Sequence, residues 1–255
     1  MIEFNKVALE CLKTCKEKID KEVPEQALQN LWLATSPKRW FSNFDLDWQI
    51  PDLPNNSLNR EQLLVLMNEH KNRQELNTQT LRKLIVCVLA WGGMRRDKNT
   101  GIPALETISF YENICLELIR GLPAISAYEE FYKLHISGVI KGIGPAYYTK
   151  LIFFFGDQTG LIMDQWTARA TNLLLNKKLI KLDSNRFVSS RNDAQIYRDY
   201  LNFVSELMIK LSIESPQKTE ELIFSCSHSQ PKVKLMLGEH HQACSAWRKF
   251  VVENT

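Results

Sequence analysis

Two residues of the right types to work on one electrophilic carbon, Lys150 and Asp164, stand fourteen positions apart. An amine can add to such a carbon, and a carboxylate can steady the positive charge that builds there. Lys150 is the single charge in Pro-Ala-Tyr-Tyr-Thr-Lys-Leu-Ile-Phe-Phe-Phe, positions 145–155, a run that opens after Gly142-Ile143-Gly144. Glycine followed by proline reads as a helix start, because proline at the first helical position gives up only an N–H that had no partner. The pattern predicts a helix over 145–155. On it Ala146, Lys150 and Phe153 share a face, with Tyr147, Leu151 and Phe154 on the neighbouring stripe. Lys150 then points where apolar side chains point, and loss of hydration favours the neutral, nucleophilic amine. The plainer alternative is a lysine whose stem lies along the core while its ammonium reaches water.

The turn before this helix carries a second piece of chemistry. Successive N–H groups at a Gly-x-Gly turn that enters a helix form a small anion-binding concavity, and glycine lets a phosphate approach without a clashing Cβ. The segment Ile136-Ser-Gly-Val-Ile-Lys-Gly-Ile-Gly-Pro145 follows a short amphipathic stretch, Tyr128 to His135, which gives helix, hairpin, helix. Such a unit grips a nucleic-acid backbone without reading sequence, with Lys141 as a further phosphate contact. Its bland alternative is an ordinary helix connection. Asp164 likewise has a modest reading, as N-cap of a helix over Gln165 to Leu174. Capping and chemistry are compatible.

On these residues the chain resembles the helix-hairpin-helix DNA glycosylases. The match rests on Lys141-Gly-Ile-Gly-Pro-Ala146, the helix after it, and Met163-Asp-Gln-Trp-Thr-Ala-Arg169, where Asp164 and Arg169 keep the family's five-residue separation. Gly-Pro-Ala-Tyr-Tyr-Thr-Lys is most similar to a bacterial branch described as 8-oxoguanine glycosylase-like. The close resemblance spans about Val139 to Ala170, with weaker similarity around Ala90-Trp-Gly-Gly-Met94. It implies that Lys141, Gly142, Ile143, Gly144, Ala146 and Arg169 meet the DNA backbone and that Asp164 is catalytic. One position departs. Where the eukaryotic-type enzymes carry their Schiff-base lysine, two residues after the second hairpin glycine, this chain has Ala146. The monofunctional relatives also lack a lysine there. Lys150 lies one helical turn further along the same face, so its stem can bring an amine to nearly the same point.

Cleaving an N-glycosidic bond builds positive charge on the deoxyribose, which Asp164 would stabilise. If Lys150 attacks, a Schiff base forms and the strand can be nicked by β-elimination; if not, Asp164 activates a water and an abasic site is left. The base must leave the stack and enter a pocket, and Trp91, Tyr147, Trp166 and Trp247 are candidate walls, although large aromatics usually serve burial first. The expected activity is excision of a damaged or 8-oxoguanine-like base from double-stranded DNA, with lyase activity through Lys150. Two alternatives stay open: a monofunctional enzyme for another modified base, such as a hypermodified cytosine of phage DNA, and a non-catalytic hairpin module that binds DNA.

The remaining expectations concern the scaffold. Hydrophobic residues make up 44% of 255 positions and charged ones 24%, ordinary for a globular chain. A net charge of +3 excludes a polybasic binder, so any field towards DNA must be local. Lys38 and Arg39, Arg95 and Arg96 after Gly92-Gly93, Lys141, and Lys177, Lys178 and Lys181 could supply it. Nearly every segment has helical period, including Leu28 to Leu33 and Leu105 to Arg120; Ser36 to Ser57 reads as a loop, and only Leu182 to Val188 suggests a short strand. The fold expected is all-α: a single glycosylase unit over 1–255 with a central lobe near 78–176 holding the hairpin 128–155, a terminal lobe from 1–77 and 177–255, and the active site in the cleft between. Asn59-Arg-Glu-Gln62 reads as a capping box. The chemistry calls for no cofactor. Six cysteines without framework spacing suggest reduced thiols, and Cys226-Ser-His228 with His240-His241-x-x-Cys244 is too irregular for a convincing zinc site. With no long apolar run and an amphipathic Met1 to Lys21, a cytoplasmic monomer away from membranes is expected.

Overall fold

The computed structural model describes residues 2–23, 34–42, 44, 46, 48–71, 76–224 and 241–255, without the side chains of 241–244. It is all-α: among the described residues there is no strand, only an isolated antiparallel bridge between Leu182 and Val188. The helices are α1 (Lys6–Glu22), α2 (Pro37–Phe41), α3 (Arg60–Lys71), α4 (Thr78–Trp91), α5 (Gly101–Glu106), α6 (Ile108–Ile119), α7 (Ala124–Ile136), α8 (Pro145–Phe155), α9 (Gln165–Leu175), α10 (Ala194–Leu211), α11 (Pro216–Phe224) and α12 (His241–Asn254). They group into two compact units, Leu33–Gly160 and Met1–Trp32 with Leu161–Thr255.

In the unit Leu33–Gly160 two helices are apolar nearly all round and therefore belong at its centre. Leu84 to Trp91 on α4 and Tyr148 to Phe155 on α8 are continuously buried. The rings of Trp91 and Phe154 meet edge to face at 4.9 Å, a preferred aromatic geometry. On the other side of α8, Tyr148 stacks on Phe131 of α7 at 5.4 Å and meets Tyr128 edge-on at 5.0 Å. Outside this core, Arg82 of α4 holds Glu112 of α6 through Nε and Nη2 at 2.7 and 3.2 Å. The last residue of α3, Lys71, donates to the Gly156 carbonyl at 2.6 Å, closing the C-terminal end of α8. Burial brings its pKa down to about 8 against the opposing pull of Asp157. The Asn59 capping box is present, with Asn59 Oδ1 accepting from Gln62 N at 2.8 Å and Gln62 Oε1 accepting from Asn59 N at 3.0 Å.

The unit Met1–Trp32 with Leu161–Thr255 is built from amphipathic helices. On α1 the buried positions Ala8, Leu9, Leu12, Cys15 and Ile19 follow helical spacing, and on α10 Tyr197, Tyr200, Phe203, Val204, Leu207 and Leu211 do the same. Asn5 caps α1 with its side chain while its own N–H reaches Leu174 O at 2.7 Å, tying α1 to the end of α9.

Three elements differ from the sequence reading. Ser36 to Ser57, read as a loop, contains α2, which starts with a Ser36 cap and Pro37. A single helix from Leu105 to Arg120 is instead two, because Thr107 turns the chain and donates its hydroxyl to Pro103 O at 2.7 Å. The strand over Leu182 to Val188 is a tight turn closed by one bridge. The helix read over Leu28 to Leu33 and the Cys226, His228, His240, His241 and Cys244 side chains lie outside the described residues.

Candidate active site

The hairpin is fixed from below by apolar side chains and from above by glycine. Its isoleucines, Ile140 and Ile143, are each 1% exposed. Gly142 sits at φ +72°, and a Cβ there would stand 2.0 Å from Thr100 O, so both backbone angle and space demand glycine. At Gly144 the requirement is different: the backbone is extended and a Cβ would meet nothing within 4 Å, which leaves the approach to the start of α8 open. The Gly144 carbonyl accepts from Tyr147 N and Tyr148 N at 2.9 and 3.1 Å. Pro145 has no N–H to satisfy, and the Ala146 N–H belongs to the first turn, where helices leave donors for an anion. Lys141 is exposed beside it, its backbone N–H held by Thr107 Oγ1 at 3.3 Å.

Lys150 lies on the buried side of α8, only 6% exposed. Its Nζ donates to the Ala146 carbonyl one turn back at 2.9 Å and stands 5.4 Å from the centre of the Tyr147 ring. The stem runs past Gly92, the residue after α4, where a Cβ would lie 2.9 Å from Lys150 Cδ and 3.2 Å from Tyr147 Cε1. The sequence brought Gly92 into view as part of a loop near DNA. Its part in giving the lysine stem room has no signal in a single sequence, because it depends on α4 and α8 packing side by side. Trp91 next to it is buried against Phe154.

Asp164 is seated by three residues of its own unit. Leu161, Ile162 and Met163 before it are buried, and the phenol groups of Tyr197 and Tyr200 donate to Leu161 O and Ile162 O at 2.9 and 2.8 Å. Burial first, then the Glu220 charge and more weakly that of Asp164, hold the Tyr200 phenol well above its ordinary range, so it remains a donor. The third residue is Thr167, whose Oγ1 accepts from Asp164 N at 2.9 Å while Asp164 Oδ1 accepts from Trp166 N and Thr167 N at 2.8 and 3.1 Å. That reciprocal box fixes a half-buried carboxylate at the start of α9, where the helix dipole favours a negative charge.

Around it the cations are arranged on aromatic faces. Trp166, half-buried, carries the Arg248 guanidinium 3.8 Å and the Arg169 guanidinium 4.8 Å from its ring centre. Arg169 is buried and donates to Thr255 Oγ1 at 2.8 Å. Trp247 is fully buried, donates to Ile223 O at 3.1 Å and stacks on Phe250, so its ring fills the interior of its unit. Lys141, Gly142, Ile143, Gly144, Ala146, Tyr147, Lys150 and Trp91 thus share the unit Leu33–Gly160, while Asp164, Trp166, Arg169 and Trp247 share the other.

A protein-family profile described as "Putative 8-oxoguanine DNA glycosylase OGG-like protein" matches residues 20–224. The chain belongs to this OGG-like family. The matched span takes in the hairpin, the helix bearing Lys150 and the Asp164 cap, so a DNA substrate follows from membership. No curated protein and no solved structure gives a significant match. Among the described residues no helix is long and apolar enough to cross a membrane.

Proposed function

We propose that this OGG-like chain excises an 8-oxoguanine-like base from double-stranded DNA and nicks the product strand through Lys150. The supporting observation is the state of that lysine: buried, its amine directed onto a helix carbonyl beside an aromatic face, in a chain whose family match spans both hairpin and Asp164. The amine donates to Ala146 O, and a lysine nucleophile reacts once it has lost its proton.

In this reading the hairpin from Lys141 to Ala146 takes the phosphates, while Arg169 is held within its own unit by Thr255 and the Trp166 ring. The modified base leaves the stack and meets a half-exposed ring, Tyr147 of one unit or Trp166 of the other, in preference to the buried Trp91 and Trp247. As the C1′–N bond breaks, its electron pair goes to the departing base, which takes up a proton. Asp164 balances the positive charge on the sugar. The Lys150 amine forms the new bond to C1′ and gives up a proton, and opening of the sugar ring leaves a Schiff base. Loss of a C2′ proton then expels the 3′ phosphate. The enzyme needs no cofactor for these steps.

Ala146, at the position where the eukaryotic-type enzymes carry their lysine and the monofunctional relatives do not, favours a second reading, in which Asp164 activates water and the product is an abasic site, the base being another modification such as a hypermodified cytosine. Borohydride added during reaction with a panel of modified duplexes separates the two. A covalent adduct that disappears in Lys150→Gln supports the lyase. Base release without any adduct, undiminished in Lys150→Gln, overturns it in favour of the water route. No base release from any duplex, with DNA affinity intact in Asp164→Asn, would reduce the chain to a binding module.

A further inference from the structure

The seventeen residues from Asn176 to Asn192 carry Lys177, Lys178, Lys181, Arg186 and Arg191 against one acid, Asp183. Five minus one is +4, more than the +3 of the whole chain, so the other 238 residues together are net negative. All five cations are exposed. A field this concentrated selects a polyanion, and phosphate backbones are the partner of the chain's family.

The segment has no regular secondary structure, yet its backbone is tightly determined. Asn172 bonds Ile180 in both directions at 2.8 and 2.9 Å. Fully buried Asn192 accepts from Lys181 N and donates to Lys181 O, each at 2.8 Å, and donates to Ser189 O at 2.7 Å. At the tip, Asp183 Oδ1 accepts from Asn185 N and Phe187 N at 2.8 and 2.9 Å, and Asp183 N donates to Phe187 O at 2.8 Å. Arg186 is held in the left-handed region at φ +64°, a conformation that an arginine adopts only when its surroundings impose it. The result is a rigid turn that holds the Phe187 ring 49% exposed, flanked by cations. Burial first, and then the Arg186 charge, lower the pKa of the Arg169 guanidinium, five residues after Asp164.

We infer that the turn Asp183–Val188 is a DNA-contacting wedge: Phe187 stacks on or between bases of the duplex while Lys181, Arg186 and Arg191 hold the adjoining phosphates. A phenyl ring has no hydrogen bonds to offer, so it meets any base alike and suits an enzyme that must unstack bases irrespective of sequence. The inference rests on the glycosylase reading only for its choice of DNA.

The test is binding of the full chain to a fluorescent duplex carrying a stable abasic analogue, measured across a range of salt. Phe187→Ala should lose about tenfold in affinity with the salt slope unchanged, and Phe187→Trp should bind as the native chain does. Arg186→Asn, which keeps a residue that accepts the left-handed angle, and Arg191→Gln should each lower the slope by roughly 0.9. Equal affinity of Phe187→Ala and the native chain at every salt overturns the wedge, as does capture by phosphatidylglycerol vesicles through Phe187 without any effect on duplex binding. Failure of the two readings is separable. Base release with duplex binding indifferent to Phe187 removes the wedge alone, whereas Phe187-dependent binding with no base ever released removes the glycosylase alone.

Discussion

A Cβ on Gly92 would stand 2.9 Å from Cδ of Lys150, so the loop that follows α4 sets where the lysine stem on α8 can run. Gly92 lies at φ −66°, an angle open to any residue, and the constraint is therefore space and not backbone. Alanine at this position should push the stem aside and break the bond from Nζ to Ala146 O. Gly92→Ala is expected to lose about 1 kcal/mol of stability, a typical overpacking cost. Single-turnover base release should fall at least about tenfold, since a small misplacement of a reacting group is amplified in rate. Native-like turnover in Gly92→Ala would show that the position of the Lys150 stem does not matter.

Asp164 caps α9, and the part in the chemistry proposed for it can be separated from that cap by substitution. Asparagine caps a helix about as well as aspartate but carries no charge. Asp164→Asn should therefore melt within a degree or two of the native chain while base release drops by about two orders of magnitude, the usual loss when a charge-stabilising group is removed. Asp164→Ala should lose the same activity and a further ~1 kcal/mol of stability with the cap. Thermal melts beside single-turnover rates decide it. Equal stability of the two variants would mean that the cap contributes nothing, and full activity in Asp164→Asn would remove the carboxylate from the chemistry.

The parts of this arrangement that were legible in the sequence are those written in local backbone chemistry. Gly144-Pro145 marks the start of α8, and the helix read over 145–155 is the one the structure has. Asn59 with Gln62 and Asp164 with its helix were readable because capping needs only residues three positions apart. Burial of Lys150 followed from the apolar run around it. What was not legible depends on residues far apart in the chain. Tyr197 and Tyr200 on α10 carry no local mark of a special place, and only packing brings their hydroxyls to Leu161 O and Ile162 O, 36 and 38 positions away. Arg248, stacked on Trp166, lies 82 residues from it in the chain and gave no local sign of its place. In α2, five residues are too few for a hydrophobic period, so that helix passed for loop.

Those long-range bonds lead to a prediction about Tyr200. Its hydroxyl is buried and donates to Ile162 O, which also receives Thr167 Oγ1 at 3.1 Å. Removing the phenol therefore leaves the carbonyl one donor, and Tyr200→Phe should cost about 1 kcal/mol, the low end for a buried hydrogen bond. Because the segment Leu161 to Met163 leads directly into Asp164, the variant should also lower the rate of base release by a few-fold with DNA affinity unchanged. Loss of stability with no change in rate would make Tyr200 purely structural.

His135 supplies a pH dependence whose sign can be worked out. It sits on α7 one turn before the hairpin, its ring 6.4 Å from that of Tyr148, and its Nδ1 is buried without a hydrogen-bond partner. Burial lowers its pKa below the ordinary 6.5, and a hydrogen bond to the Ile143 backbone only partly opposes this. The unfolded chain then takes up this proton at higher pH than the folded one, so the folded state carries fewer protons as pH falls below 6.5. Stability attributable to His135 is complete above that pH and is lost as pH falls towards the depressed value. Protonation would also put an N–H with no acceptor against the hairpin that holds Ile143. Between pH 7 and 5 the melting temperature of the native chain should therefore fall more steeply than that of His135→Gln, and its affinity for duplex DNA should weaken relative to the variant once the general effect of pH on both is subtracted. Parallel curves for the two proteins would show that this histidine does not couple protonation to the hairpin.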